Sequence, residues 1–118
     1  MIGADSYYIK HEEPCRGALL VLRQYILASD SCIAEKRRYQ IPFFYYKEWR
    51  LCFLWVKQKK IILGIISDYR LFNSTDTVAK RDGMHMITID PSEDFDIETI
   101  IRELNEQIAT YKNILGED

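Results

Sequence analysis

The spacing of apolar positions changes character twice along this chain. Ala18, Leu19, Leu22 and Ile26, with Cys15 one turn upstream, recur every three or four residues and predict an amphipathic helix from Cys15 to about Ala28. Asp5 can cap a shorter helix through residues 6–12 before it, and Pro14 suits the first turn of the longer one. The period then shortens. "EKRRYQ" (35–40), "FFYYK" (43–47), "WRLCFLWV" (49–56), "IILGIIS" (61–67) and "MHMITID" (84–90) are rich in aromatic and β-branched residues and predict five strands. "KE" (47–48) and "KQKK" (57–60) are short enough for hairpin turns, so neighbouring strands should run antiparallel. Residues 68–83 show no clean period and predict a long loop with a turn of helix. A helical stripe returns at Ile97, Ile100, Ile101, Leu104, Ile108, Tyr111 and Leu115, with Gly116 as its stop. Two starts are open to this helix, one at Asp90-Pro91 and one at Asp94 or Asp96. The order predicts an α+β domain: an antiparallel β-sheet of about five strands, with N-terminal and C-terminal helices on one face.

One segment breaks the usual alternation. "IPFFYYKEWRLCFLWV" (41–56) holds seven aromatic and only three charged side chains. Strict alternation places Trp49, Leu51, Phe53 and Trp55 on one face, with Cys52, Leu54 and Val56 on the other behind Arg50. Helices on one side cover only one set. The surplus face needs a dimer partner, a folded-over loop or a ligand. Trp55 and Leu104 are expected in the core, and Phe44, Tyr46, Arg50, Cys52 and Leu54 on the surplus groove or interface.

Composition narrows the classes. At 118 residues the chain makes a single domain that buries roughly two-thirds of its unfolded surface. No apolar run approaches the ~20 residues of a membrane span, and the N-terminus lacks the basic and apolar regions of a signal peptide. Cys15, Cys32 and Cys52 are odd in number and lack CxxC spacing, which fits reduced thiols and a cytoplasmic location. The net charge of −2 argues against a dedicated nucleic-acid binder. It is unevenly spread: residues 1–60 carry 11 Lys/Arg against 6 Asp/Glu, and residues 61–118 carry 5 against 12.

Several stretches carry a resemblance. The "LRQYIL" helix end, Tyr39-x-x-Pro42-Phe43-Phe44, the "LCFLWV" strand, Gly64 and "IDPSEDFDIETI" together resemble the bacterial YdhG-like domains. The similarity covers about residues 12–112 and departs at "ISDYRLFN", where Asp68 or Tyr69 stands in place of a glycine. That family is of largely unknown function, and one branch is described as frataxin-like intracellular iron chaperones. The resemblance implies the α+β fold and no catalytic residue set.

Candidate chemistry is sparse. Asp90, Glu93, Asp94 and Asp96, with Glu98, form an oxygen-rich cluster of the kind that suits hard cations such as Fe²⁺. Acidic residues at a helix start also need no metal, since each stabilises the helix by ~0.3–1 kcal/mol. His11 stands beside Glu12 and Glu13, and His85 shares a strand face with Ile87 and Ile89; neither has zinc-site spacing. Cys52, mid-strand among bulky apolar residues, is placed as an inert thiol. No nucleophile elbow or glycine-rich phosphate loop is present. "EKRRYQIPFFYYKEWR" interleaves basic and aromatic residues as single-strand platforms do, and also as a charge-protected edge strand does. The sequence points to a small non-catalytic binding or interaction domain without a cofactor, homodimeric through the second sheet face. The alternative is an iron carrier using surface carboxylates.

Overall fold

The computed structural model describes residues 4–72 and 81–117, and side chains from residue 6 onward within that range. Helix α1 (Ala4–Ile9) and helix α2 (Cys15–Ala28) lead into five strands: β1 (Ile33–Arg38), β2 (Ile41–Tyr46), β3 (Trp49–Lys57), β4 (Lys60–Ser67) and β5 (Gly83–Ile89). Helix α3 (Ile97–Ile114) closes the order. The strands form one antiparallel meander, β1-β2-β3-β4-β5. The expected α+β architecture is what the chain adopts. Helix α1 begins at Ala4, so Asp5 lies inside it rather than ahead of it. Residues 73–80, in the loop expected to hold a helical turn, lie outside the described residues.

All three helices pack on the same face of the sheet. Leu19, Leu22 and Ile26 of α2 and Leu104, Ile108 and Tyr111 of α3 meet Phe44, Tyr46, Cys52, Leu54, Leu63 and Ile65 in one buried cluster. Leu104 is buried, as its place in the stripe requires. Even-numbered positions of β2 and β3 therefore form the helix-covered face. Phe44, Tyr46, Cys52 and Leu54 line no surplus groove or interface, which corrects the expectation for them.

A β-bulge explains the reversal. Phe44 pairs with Cys52 but Tyr45 pairs with Arg50, so Leu51 is the extra residue on β3. Its insertion turns Leu51 and Trp49 toward the helices together with Cys52, while Phe53 and Trp55 stay on the opposite face. The four odd positions do not share a face. Trp55 is 37% exposed, against the expectation that it is core.

Two boundaries also differ from expectation. Strand β1 starts at Ile33 and ends at Arg38, because Tyr39 and Gln40 form the β1–β2 turn with φ of 54° and 64°. Gln58 and Lys59 do the same between β3 and β4, with φ of 52° and 66°. Such pairs of positive φ belong to two-residue hairpin turns, whose twist matches that of the strands. Helix α3 takes the later of its two starts: Asp96 is the N-cap and accepts the Thr99 N–H at 3.1 Å. Asp90 instead accepts the Ser92 N–H in a tight turn.

The edge strand β1 turns one charge inward. Glu35 faces the helices, accepts the Tyr8 hydroxyl and the Arg23 Nε–H at 2.7 Å each, and is almost fully buried. An inward charge satisfied only by the protein's own helices disfavours strand addition at this edge.

Candidate functional site

The face opposite the helices has its own centre. Phe43, Phe53 and Ile66 form a second buried cluster, with Ile41, Tyr45 and Ile62 packed against it. Gly64 admits Phe53: a Cβ at position 64 would lie 2.3 Å from two atoms of the Phe53 ring. Around this centre, apolar surface is exposed at Trp55, Met84 (54%) and Met86 (49%), and at Tyr39 (74%) in the β1–β2 turn. Register puts Met84 opposite Ile66, Met86 opposite Gly64 and Trp55 opposite Ile62, so all three share this face.

Its charges are cationic. Strand positions on this face include Lys36, Arg38, Arg50 and Lys57, and none holds an acidic residue. Three of these cations lie over aromatic rings: Lys36 over Tyr45 at 5.2 Å, Arg38 over Tyr39 at 5.0 Å and Lys57 over Trp55 at 5.4 Å. Each such contact is worth ~0.5–1 kcal/mol at an exposed site. Among the described residues, no carboxylate pairs with Lys36, Arg38 or Lys57.

Arg50 is different, because it is neutralised within the protein. Its guanidinium binds Asp82 at 2.7 and 3.1 Å and reaches Asp68 at 3.4 Å. Asp68, fully buried at the end of β4, accepts the backbone N–H groups of Arg50 and Arg70 at 3.0 Å each. Burial works to raise its pKa; the Arg70 guanidinium, those two N–H groups and the Arg50 charge outweigh it and bring the carboxyl down to about 2. The Tyr111 hydroxyl lies 2.5 Å from the Arg50 carbonyl and 2.7 Å from the Ile66 carbonyl, and accepts the Asp68 N–H. This hub ties the β3 bulge to the end of β4 and to α3. No motif joins these residues: Arg50 reads as a position of the surplus face, Tyr111 as part of the α3 stripe, and Asp68 falls in the aperiodic stretch that follows "IILGIIS".

The acidic segment is brought together only loosely. Asp90, Glu93, Asp94 and Asp96 border one open hollow of about 420 Å³ between β5 and α3. Two of the four are already engaged: Lys60 binds Asp90 at 2.6 Å, and Asp96 caps α3. The Lys60 ammonium and the Ser92 hydroxyl and N–H hold the Asp90 carboxyl near 2, and the Thr99 hydroxyl and N–H lower that of Asp96. Among the described residues, no three His, Cys, Asp or Glu side chains are grouped to hold a metal ion.

A larger hollow of about 560 Å³ lies at one end of the molecule, between the α1–α2 connection, the β3–β4 turn and Asp90–Ser92. His11, Cys15, Lys59 and Lys60 line it, a juxtaposition across Pro14 that spacing alone did not suggest. His11 packs edge-on against Tyr7, and its buried Nε2 has no partner among the described residues. Burial, then Lys10, lowers the His11 pKa; burial, then Glu13, raises that of Cys15. At pH 7 both stay neutral, so no thiolate–imidazolium pair forms. Burial alone pushes the Cys52 thiol far above its ordinary range. His85 sits on the edge strand β5 and meets Glu103 of α3 at 3.0 Å. No described helix is long and apolar enough to cross a membrane. Comparison with protein-family models, with curated proteins and with solved structures finds no match for this chain.

Proposed function

We propose that this chain is a non-catalytic binding domain that works through the helix-free face of its sheet, on a ligand that is both planar and anionic. One observation carries this reading: among the described residues, Lys36, Arg38 and Lys57 rest on aromatic rings without a carboxylate partner, beside the exposed Trp55, Met84 and Met86. A ligand that stacks on a ring while its negative charge takes the displaced cation uses both groups at once. Burial holds the Cys15 and Cys52 thiols above their ordinary range, which disfavours the thiolate a nucleophile needs.

Twofold self-association through the same face sets these cations against their own copies, and like-charge juxtaposition weighs against it. The iron-carrier reading draws on the acidic segment, where Asp90 and Asp96 already serve Lys60 and the start of α3.

Anilinonaphthalene sulfonate, aromatic and anionic, is a direct probe of the face. Native wild type should enhance its emission several-fold, with near-ultraviolet circular dichroism confirming that tertiary packing is intact. The double variant Trp55→Gln, Met84→Gln removes only partly exposed apolar surface, so it should fold normally and lose the enhancement. Absent enhancement in wild type, or equal enhancement in the variant, refutes the reading.

A further inference from the structure

We infer that the partner of the helix-free face is single-stranded nucleic acid. The inference rests on the reading of that face as a site for planar anions and commits it to one class. The chain's negative net charge conceals a separation of sign. The acidic side chains of α3, among them Glu98, Glu103 and Glu106, belong to the opposite side of the sheet, and the strand positions of this face carry cations alone. Charge complementarity therefore calls for an anion.

The arrangement of rings narrows the choice. Three rings on this face each carry a cation, the exposed Tyr39 with Arg38, the exposed Trp55 with Lys57, and the half-buried Tyr45 with Lys36. A single strand alternates planar bases with phosphates, so one ring–cation pair can take one base and one phosphate. Register sets Tyr45 and Trp55 about four residues apart along neighbouring strands, roughly 14 Å from strand rise and spacing. Sheet platforms of this kind stack two or three bases across their strands. A duplex fits poorly, because its bases are stacked inward and this face, formed by strands side by side, offers no helix or ribbon to enter a groove. An acidic peptide supplies charge without a plane beside every charge. A second copy brings like charges.

Fluorescence anisotropy with labelled oligouridylate and oligothymidylate of ~12 nucleotides tests this, at a length within the site sizes of single-strand binders. Wild type should bind both with Kd below ~100 μM at ~50 mM salt, and bind a duplex of equal length more weakly. Three phosphate contacts give a slope of about −2 for log K against log salt. Trp55→Ala should weaken binding ~10-fold, the loss of one base–aromatic stack. The double variant Lys36→Gln, Lys57→Gln should flatten the slope to about −0.7.

No binding up to ~1 mM overturns the inference. So does binding untouched by Trp55→Ala, which is electrostatic adhesion alone, or displacement of the oligonucleotide by polyglutamate at equal charge. Light scattering that reports about 28 kDa, twice the chain mass of 14.0 kDa, and a shift to monomer in Met84→Arg would assign the face to a second copy instead. If the sulfonate dye binds and the oligonucleotides do not, the inference fails and the reading of the face stands. If neither binds, both fail.

Discussion

Replacing Asp68 by Asn changes one buried group that holds three segments together. The carboxylate is wholly enclosed, and its two oxygens accept the N–H of Arg50 at the β3 bulge, the N–H of Arg70, and the Arg70 guanidinium at 2.9 and 2.5 Å. An amide keeps the shape but turns one acceptor into a donor, so at least one of these donors loses its partner. Arg50 retains Asp82, and Arg70 is more than one-third exposed, so both cations keep some compensation. The cost should fall near ~3 kcal/mol, the low end for breaking a buried pair. For a chain of this length that is a fall in Tm of about 10 °C.

The pH dependence gives an independent check. The folded-state pKa of Asp68, about 2, lies below its ordinary value of 3.8. The stability linked to ionisation is thus complete above pH ~4 and is lost as pH falls toward 2, about 2 kcal/mol in all. The amide of the Asp68→Asn variant does not ionise and contributes no such dependence. Urea denaturation of wild type and Asp68→Asn should show a gap of ~3 kcal/mol at pH 7 that narrows by about 2 kcal/mol between pH ~5 and ~2. A gap below ~0.5 kcal/mol at pH 7, or one that stays constant down to pH ~2, refutes the claim that this carboxylate anchors the bulge.

Four further outcomes are expected. Leu104→Ala should cost ~2–5 kcal/mol in chemical denaturation, since the side chain is buried between α3 and the sheet. Gly64→Ala forces a methyl into the Phe53 ring and should cost ~1–3 kcal/mol, with the near-ultraviolet signal of the second cluster altered. The pair Gln58→Asn, Lys59→Gly relieves two positive-φ residues in the β3–β4 turn and should stabilise by ~1 kcal/mol in thermal melts. Anaerobic calorimetric titration of Fe²⁺ should show no Kd tighter than ~100 μM; micromolar binding lost on neutralising Asp90, Glu93, Asp94 and Asp96 would promote the iron-carrier reading.

What the sequence determines here is local. Helix α2 and the long stripe of α3 follow from apolar spacing, and Gly116 bounds α3 because a stop acts on its own turn, whereas the choice of Asp96 among the candidate starts came with the fold. The antiparallel pairing of β2, β3 and β4 is equally readable, since short hairpin turns leave these neighbouring strands no other pairing. The site was legible only as a composition: basic and aromatic residues interleaved over 35–50, and too much apolar surface for one face. Which face the helices cover depended on the bulge at Leu51, because one inserted residue moves Trp49 and Leu51 to the side opposite Phe53 and Trp55. Periodicity does not register an insertion that only the partner strand defines. The turn at Tyr39–Gln40 was hidden for a related reason, as its positive φ values are imposed by the paired strands on residues that do not favour them. Glu35, Asp68 and the Tyr111 hydroxyl read as ordinary polar positions until the fold buries them against partners 27, 18 and 61 residues away in the chain. Burial sets the strength of those contacts, and burial is a property of the packed layers.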